Sequence, residues 1–326
     1  MATSGEFVLI EKIRELLGPP SSRVAIGVGD DAAVVSLSRN KCLATVDMMV
    51  EGVHFDLSYT LPEELGHKAI AINFSDVAAM AGQPRYALVS LGLPSSVDDS
   101  FVEAFYTGMR RLAVRFGTDI VGGNLTRAPS LVIDVTLLGE PAGSLCLRGG
   151  AKPGDLLAVT GPLGASAAGL ACLRRWGRAA MNEYQELVVS HLMPFPRVTE
   201  AQVLNSTGLV TAMIDISDGL SSELHHLAKA SGVGIRIDEA SIPVTPATRK
   251  AGSVLGDDPM AWALGGGEDY ELLFAFKPSR SISLPVPITV IGEVMGPSMG
   301  VVFRREDGRE EPLPARGWDH FASRGE

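Results

Sequence analysis

The sequence predicts two domains of mixed helix and strand, α+β or α/β in type. Three observations carry that expectation. The chain has 326 residues, about twice an ordinary domain. Strand-like and helix-like segments alternate in both halves, which calls for sheets covered by helices. The run Arg148-Gly-Gly-Ala-Lys-Pro-Gly-Asp155 concentrates turn formers, and it sets the boundary between 1–147 and 148–326.

In the first half, Ser4 is placed to cap a helix over 5–17, with Phe7, Ile10, Ile13 and Leu17 on one face. Short β-rich segments follow at 23–28, 32–37 and 42–46. Pro62 opens a helix over 62–81, since proline suits a first helical turn. An apolar strand is expected at 87–93. Asp98 caps a helix over 98–116. Strands at 119–121 and 131–138 complete this half.

The second half starts with a strand at 156–160, then helical stretches at 165–176, 182–191 and 197–206. A strand at 212–216, a helix at 219–230 and strands at 234–237, 270–276 and 288–291 follow. The uncharged stretch 156–173 has the length of a membrane span. Gly161, Pro162, Gly164 and Gly169 interrupt it, so a strand, a turn and a buried helix are expected instead.

Composition narrows the function. The net charge of −10 and the lack of a basic run argue against a protein that tracks nucleic acid. An apolar content of 46% argues against disorder. The N-terminus lacks the basic start and apolar core of a signal peptide. Cys42, Cys146 and Cys172 form no CxxC and are odd in number, so neither a zinc site nor a disulfide framework is signalled. A cytoplasmic protein without a membrane span is the expectation. Gly is 36 of 326, which implies many tight turns or backbone held close to a ligand.

No P-loop, HExxH or GxSxG string is present. Gly27-Val-Gly29-Asp-Asp-Ala32 fits a dinucleotide fingerprint in spacing only, because the residues after it read as strand rather than helix. The acidic pattern is the better lead. Asp30 and Asp31 sit in that glycine turn, and Asp47 is expected to follow a strand. Asp76 lies inside an apolar helix, Asp215 ends a strand and Asp218 follows three residues on. Asp218 or Ser217 could also serve as a helix cap, and Asp30 as a turn residue. Buried carboxylates need cations, and hard divalent ions shared with substrate phosphates satisfy several at once.

Seven strings occur in order: Gly5-Glu-Phe7, Gly27-Val-Gly-Asp-Asp-Ala-Ala33, Val46-Asp-Met-Met-Val-Glu-Gly-Val-His-Phe55, Lys68-Ala-Ile-Ala-Ile-Asn-Phe-Ser-Asp-Val-Ala-Ala-Met80, Gly149-Gly-Ala-Lys-Pro-Gly-Asp155, Ile214-Asp-Ile-Ser-Asp-Gly-Leu220 and Gly265-Gly-Gly-Glu-Asp-Tyr-Glu-Leu272. With them the chain resembles the thiamine-monophosphate kinase family, of the aminoimidazole-ribonucleotide-synthetase-like superfamily, from residue 5 to Phe321. The resemblance implies transfer of the ATP γ-phosphoryl group onto thiamine monophosphate, with several Mg²⁺ ions. It implies a homodimer whose N-terminal mixed sheets pair into a barrel, beside a C-terminal α/β domain that completes the nucleotide and substrate site.

Matched onto this sequence, the resemblance implies metal ligands at Asp30, Asp31, Thr45, Val46, Asp47, Asp76, Asn124, Asp215 and Asp218. ATP contacts would be Tyr106, Gly123, Asn124, Arg148 and Ser217. Substrate contacts would be His54, Glu268 and Trp318. No general base is assigned, because a phosphate acceptor is already largely deprotonated and positioning carries phosphoryl transfer. The chain departs from the family at Asn124, where Asp is usual, and at Val46, where Thr is common. Asn keeps a carbonyl oxygen but loses a charge; Val46 keeps only its backbone carbonyl as a ligand. The alternatives are another ATP-using enzyme of the superfamily, or a nucleotide-binding regulator without catalysis. Selenophosphate synthetase is disfavoured because no Cys precedes Cys42, and the hydrogenase-maturation relative because the chain ends Ser-Arg-Gly-Glu rather than in Cys.

Overall fold

A computed structural model describes residues 6–26, 34–37, 41–278 and 286–317. The chain divides into two compact units, Met1–Val77 with Gly82–Ala142, and Ala78–Ala81 with Gly143–Glu326. The turn-rich stretch 148–155 therefore lies within the second unit.

The first unit runs α1 (Glu6–Leu17), β1 (Val24–Ile26), β2 (Val34–Val35), β3 (Leu43–Val50), α2 (Pro62–Ala79), β4 (Gly82–Leu93), α3 (Asp99–Phe116), β5 (Asp119–Arg127) and β6 (Val132–Pro141). β1 and β2 form an antiparallel pair. The other four strands make a mixed sheet in the order β3-β6-β4-β5, with β4 and β5 parallel across the α3 connection. That geometry is what a helical crossover permits and a hairpin does not. Val89, Ile133, Val135 and Leu137 on the strands are fully buried.

α3 is stopped at both ends by its own residues. The Asp98 side chain accepts from the Phe101 N–H, and Gly117 takes the left-handed conformation, φ 65°, that ends the helix. α2 is buried nearly all round, with Leu65, Ala69, Ile70, Phe74 and Ala78 inaccessible. It meets α3 backbone to backbone. A Cβ at Gly66 would lie 1.9 Å from the Phe105 carbonyl oxygen, and one at Gly108 would lie 1.9 Å from that of Glu63. Gly108→Ala is expected to cost about 3 kcal/mol, since neither backbone can retreat from a packed core. A thermal melt would show it, and an unchanged Tm would mean that the helices separate freely.

The second unit holds a seven-stranded sheet in the order β13-β12-β9-β11-β7-β10-β8. In chain order its elements are β7 (Leu156–Val159), α4 (Ala165–Trp176), α5 (Gln185–Leu192), α6 (Val198–Ser206), β8 (Val210–Asp215), α7 (Leu220–Ser231), β9 (Gly234–Asp238), α8 (Pro246–Leu255), α9 (Pro259–Gly265), β10 (Leu272–Phe276), β11 (Thr289–Met295), β12 (Val301–Arg304) and β13 (Glu310–Pro312). Every pairing is antiparallel except β9 with β12. One apolar cluster joins sheet and helices through Leu157, Val159, Ile214, Leu224, Leu273 and Phe303.

Among the described residues no helix is long and apolar enough to cross a membrane, and 156–173 folds as β7, a turn and α4. The sequence reading missed α8, α9, β12 and β13. Both helices carried a start signal: Thr245 caps α8 before Pro246, and Asp258 caps α9 before Pro259. β3 and β5 are longer than their local patterns suggested. β6 pairs with β3 along its full length, from Leu43↔Gly139 to Val50↔Val132, and cross-strand bonding overrides the weak propensity of the half-buried Asp47.

Candidate functional site

In the first unit the acidic residues are set by strand alternation. Asp47 lies inside β3 rather than after it, a correction to the sequence reading that follows from the β6 pairing. Thr45 and Asp47 share the face of the buried Leu43 and Met49; Val46 and Met48 point the other way and are 58% and 56% exposed. The Val46 side chain is thus turned from Thr45 and Asp47, leaving its carbonyl as the group it can offer. The Thr45 hydroxyl donates to Asp76 Oδ2 on α2, in a short hydrogen bond that joins strand to helix. Asp76, in the last turn of α2, is thus held by tertiary contact and not as a helix cap.

His54 lies in the turn after β3. Its Nδ1 accepts the Val50 N–H at 3.0 Å, which makes Nε2 the ring's donor. Asn124 is exposed on β5, opposite Ser90 of β4. At Gly123 an added Cβ would lie 1.9 Å from the Val89 carbonyl oxygen, so only glycine lets these strands approach. Tyr106 is buried on α3, packed edge-on against Phe105. Asp30, Asp31 and Trp318 lie outside the described residues.

In the second unit two loops are laced together. β8 ends at Asp215, which is 3% exposed. The Glu268 N–H donates to the Ser217 carbonyl at 2.7 Å, and the Tyr270 N–H to that of Ile216 at 2.9 Å. Ile216 N–H returns a bond to the Glu271 carbonyl at 2.8 Å. The two loops sit too close for side chains: a Cβ at Gly267 would come within 2.6 Å of the Ser217 carbonyl oxygen. The Asp218 N–H donates to Glu223 Oε1 at 3.1 Å. Glu223 Oε2 is buried with no hydrogen-bond partner among the described residues. Burial, with the nearby Asp218 and Asp215 charges, pushes Glu223 up to about 8. Arg148 is exposed before Gly149 and Gly150, whose turn is tied to α7 by Ser231 Oγ.

The loop before β10 is strained and anchored. Glu268 and Tyr270 both take positive φ, 58° and 50°, unusual without glycine. Asp269 between them turns inward and accepts the N–H groups of Gly164 and Ser166 at the start of α4. Glu271 is gripped by Arg197, from Nε at 2.7 Å and Nη2 at 2.5 Å, and by the Thr160 hydroxyl at 2.6 Å. Beside this loop opens a cavity of about 560 Å³ lined by Trp262, Gly265, Gly266, Arg316 and Gly317 among others. Its volume suits a small ligand.

Burial pushes the Asp269 carboxyl up to about 7. An acid whose folded pKa is raised stabilises the fold fully below its unfolded value and loses that contribution as pH rises through the folded one. Asp269→Asn removes the titration. The Tm of the native chain relative to this variant should therefore fall between pH 5 and 8. A constant difference across that range would place Asp269 in the ordinary carboxylate range.

Sequence reasoning did not single out Glu223, His191 or Arg197, and it gave Asp269 and Glu271 no role of their own. The last two lay in the quoted Gly265–Leu272 string. Arg197 and Glu271 are 74 residues apart, so no local pattern signals their pairing.

The chain is similar in sequence and fold to known proteins. The family description "AIR synthase related protein, N-terminal domain" matches residues 29–140, and its C-terminal counterpart matches 152–296. Thiamine-monophosphate kinase of Bacillus subtilis (strain 168) is 39% identical, covering 97% of this chain and 99% of its own. That of Escherichia coli (strain K12) is 38% identical over 98% and 99%. The chain belongs to the thiamine-monophosphate kinase family. A solved family structure, AaThiL complexed with AMPPCP and TMP, superposes with a TM-score of 0.77 at 37% identity over 97% of each chain. That of Stenotrophomonas maltophilia K279a gives 0.80 at 33% over 96% and 99%. Hydrogenase maturation protein structures at 20–23% identity share the fold.

The family implies Mg²⁺, and the residues fit it by their chemistry. The candidate side chains are hydroxyl, amide and carboxylate oxygens, as a hard cation requires. Among the described residues no three His, Cys, Asp or Glu side chains gather closely enough to hold an ion unaided. The unpartnered Glu223 oxygen lies in an acidic surrounding that a cation's charge would relieve.

Proposed function

We propose that the chain transfers the γ-phosphoryl group of ATP to thiamine monophosphate, giving thiamine diphosphate. The lacing of loop 215–218 to loop 265–271 carries this reading. It ties the nucleotide-side residues Ser217 and Asp218 rigidly to the substrate-side Glu268, and phosphoryl transfer between two polyanions depends on such positioning. The match along 97% of the chain to kinases of this name supports it.

In this reading Thr45, the Val46 carbonyl, Asp47, Asp76 and Asn124 of the first unit, with Asp30 and Asp31, hold Mg²⁺; Asp215 and Asp218 do so in the second. When bound, the ion would supply charge neutralisation for the phosphates that meet there. Gly123 lets backbone approach the nucleotide. Ser217, Arg148 and Tyr106 contact ATP, and Arg148 stands exposed to do so. Glu268 accepts from the aminopyrimidine, His54 donates from Nε2, and Trp318 stacks on the ring. No side chain is asked to remove a proton. Residues 1–147 form the ATP, Mg²⁺ and dimerisation domain, and 148–326 complete the nucleotide and substrate site.

A homodimer is part of the proposal, its N-terminal sheets joined into a barrel. Val46, Met48 and Leu88 leave apolar surface exposed on the sheet, 58%, 56% and 36% respectively, which a second copy would cover. Three cysteines outside any disulfide suit a reducing cytoplasm.

A coupled ADP-release assay with ATP, Mg²⁺ and thiamine monophosphate tests the reaction. Thiamine diphosphate should form in step with ADP; tight ATP binding without product would leave a nucleotide-binding regulator. Asn124→Asp restores a charge and should lower the Mg²⁺ concentration at half-maximal rate several-fold, roughly the 10-fold scale of a tuned ligand shell. An unchanged Mg²⁺ dependence would sink the idea of a weakened site.

A further inference from the structure

We propose that His191 is a positioning residue for Glu268, fixing the carboxylate that receives the substrate's aminopyrimidine. This rests on the thiamine-monophosphate reading above. His191 sits in the last turn of α5 with its side chain only 4% exposed. Its Nδ1 is 3.2 Å from Glu268 Oε2 and 3.2 Å from Ser166 Oγ. A proton on Nδ1 is therefore aimed between a carboxylate and a hydroxyl oxygen. The Glu268 side chain keeps 29% of its surface accessible, so it is gripped from the protein side while reaching solvent.

The platform under His191 is rigid. A Cβ at Gly169 of α4 would lie 2.0 Å from the Leu187 carbonyl oxygen of α5, so these two helices touch through their backbones. Ser166, on the first turn of α4, gives its N–H to Asp269 and its hydroxyl to the His191 contact. Asp269 directly and Glu268 through His191 thus report to the same helix start. Glu268 itself is held at φ 58°. A strained backbone fixes where the side chain leaves the loop, but not where its carboxylate ends. A Glu side chain keeps several rotatable bonds, and an unguided carboxylate would spend binding energy on being ordered. His191 supplies the missing constraint in advance of substrate.

The test is calorimetric binding of thiamine monophosphate and, separately, of a non-hydrolysable ATP analogue. His191→Leu should weaken thiamine monophosphate roughly ten-fold, the scale of one hydrogen bond to a charged group, and leave the ATP analogue within about two-fold. His191→Asn carries an amide N–H near the place of Nδ1 and should recover most of the loss. In a Glu268→Ala background His191→Leu should add less than about two-fold, because the two residues act through one contact. Equal weakening of both ligands, no rescue by Asn, or additive losses would each overturn the positioning role and make His191 a packing residue. If the native chain itself fails to bind thiamine monophosphate, the substrate reading falls and the inference with it. Native binding unaffected by His191→Leu would overturn the inference alone.

Discussion

Asp76→Asn is expected to reduce turnover by at least about 10³-fold while leaving the fold intact, a loss typical of a charge removed from a metal-assisted phosphoryl-transfer site. Asp76 lies in the last turn of α2, a helix otherwise buried on nearly every side. A carboxylate at a helix C-terminus opposes the helix dipole and caps nothing, and the Thr45 hydroxyl on β3 donates to it, which supports the metal role proposed for it. Asn keeps an oxygen to accept that hydroxyl, so helix and strand stay joined. What the variant loses is charge. Its activity should fall across all Mg²⁺ concentrations, and its Tm without Mg²⁺ should equal or exceed that of the native chain, because acidic clusters trade stability for function. A variant that turns over normally would remove Asp76 from the metal site.

Arg197→Leu is expected to be the most damaging single change to the second unit, costing about 3–5 kcal/mol. Glu271 has a side chain only 8% exposed and takes two hydrogen bonds from the guanidinium. Without them its charge stays buried, held only by Thr160 and by whatever water can reach it. The melting temperature should drop by roughly 5–15 °C. Pairing the change with Glu271→Leu should recover most of the loss, since a buried ion pair is replaceable by apolar residues while half of one is not. Activity should not return in the double variant to the native level, because the Glu271 side chain's anchors to Thr160 and Arg197, three residues from Glu268, stay lost. Two single variants as damaging separately as together, with no recovery, would mean the pair matters only through its packing.

Much of the fold was written locally. The cap at Asp98 and the Pro62 start made α3 and α2 legible, because each acts within one helical turn. The lengths of β3 and β5 were not legible, because their extra residues are held by bonds to neighbouring strands rather than by their own propensity. α8 and α9 were legible in principle from Thr245-Pro246 and Asp258-Pro259.

The candidate site divides in the same way. Residue types and their order carry the chemistry: acidic residues in apolar segments without enough lysine to pair them, glycines at the turns, and an ordered set of strings that marks the family. Those features depend on residue type and near neighbours, which a linear reading preserves. Which groups act together follows from long-range packing. It turned Val46 away from Thr45 and Asp47, joined Thr45 to Asp76 and laced Ser217 to Glu268. It also set His191 and Arg197 behind the loop that presents Glu268. These partners are far apart along the chain and meet only when the sheet closes over its helices. Their side chains carry no periodicity of their own, and their pairing is imposed by the cost of leaving a buried charge without a partner.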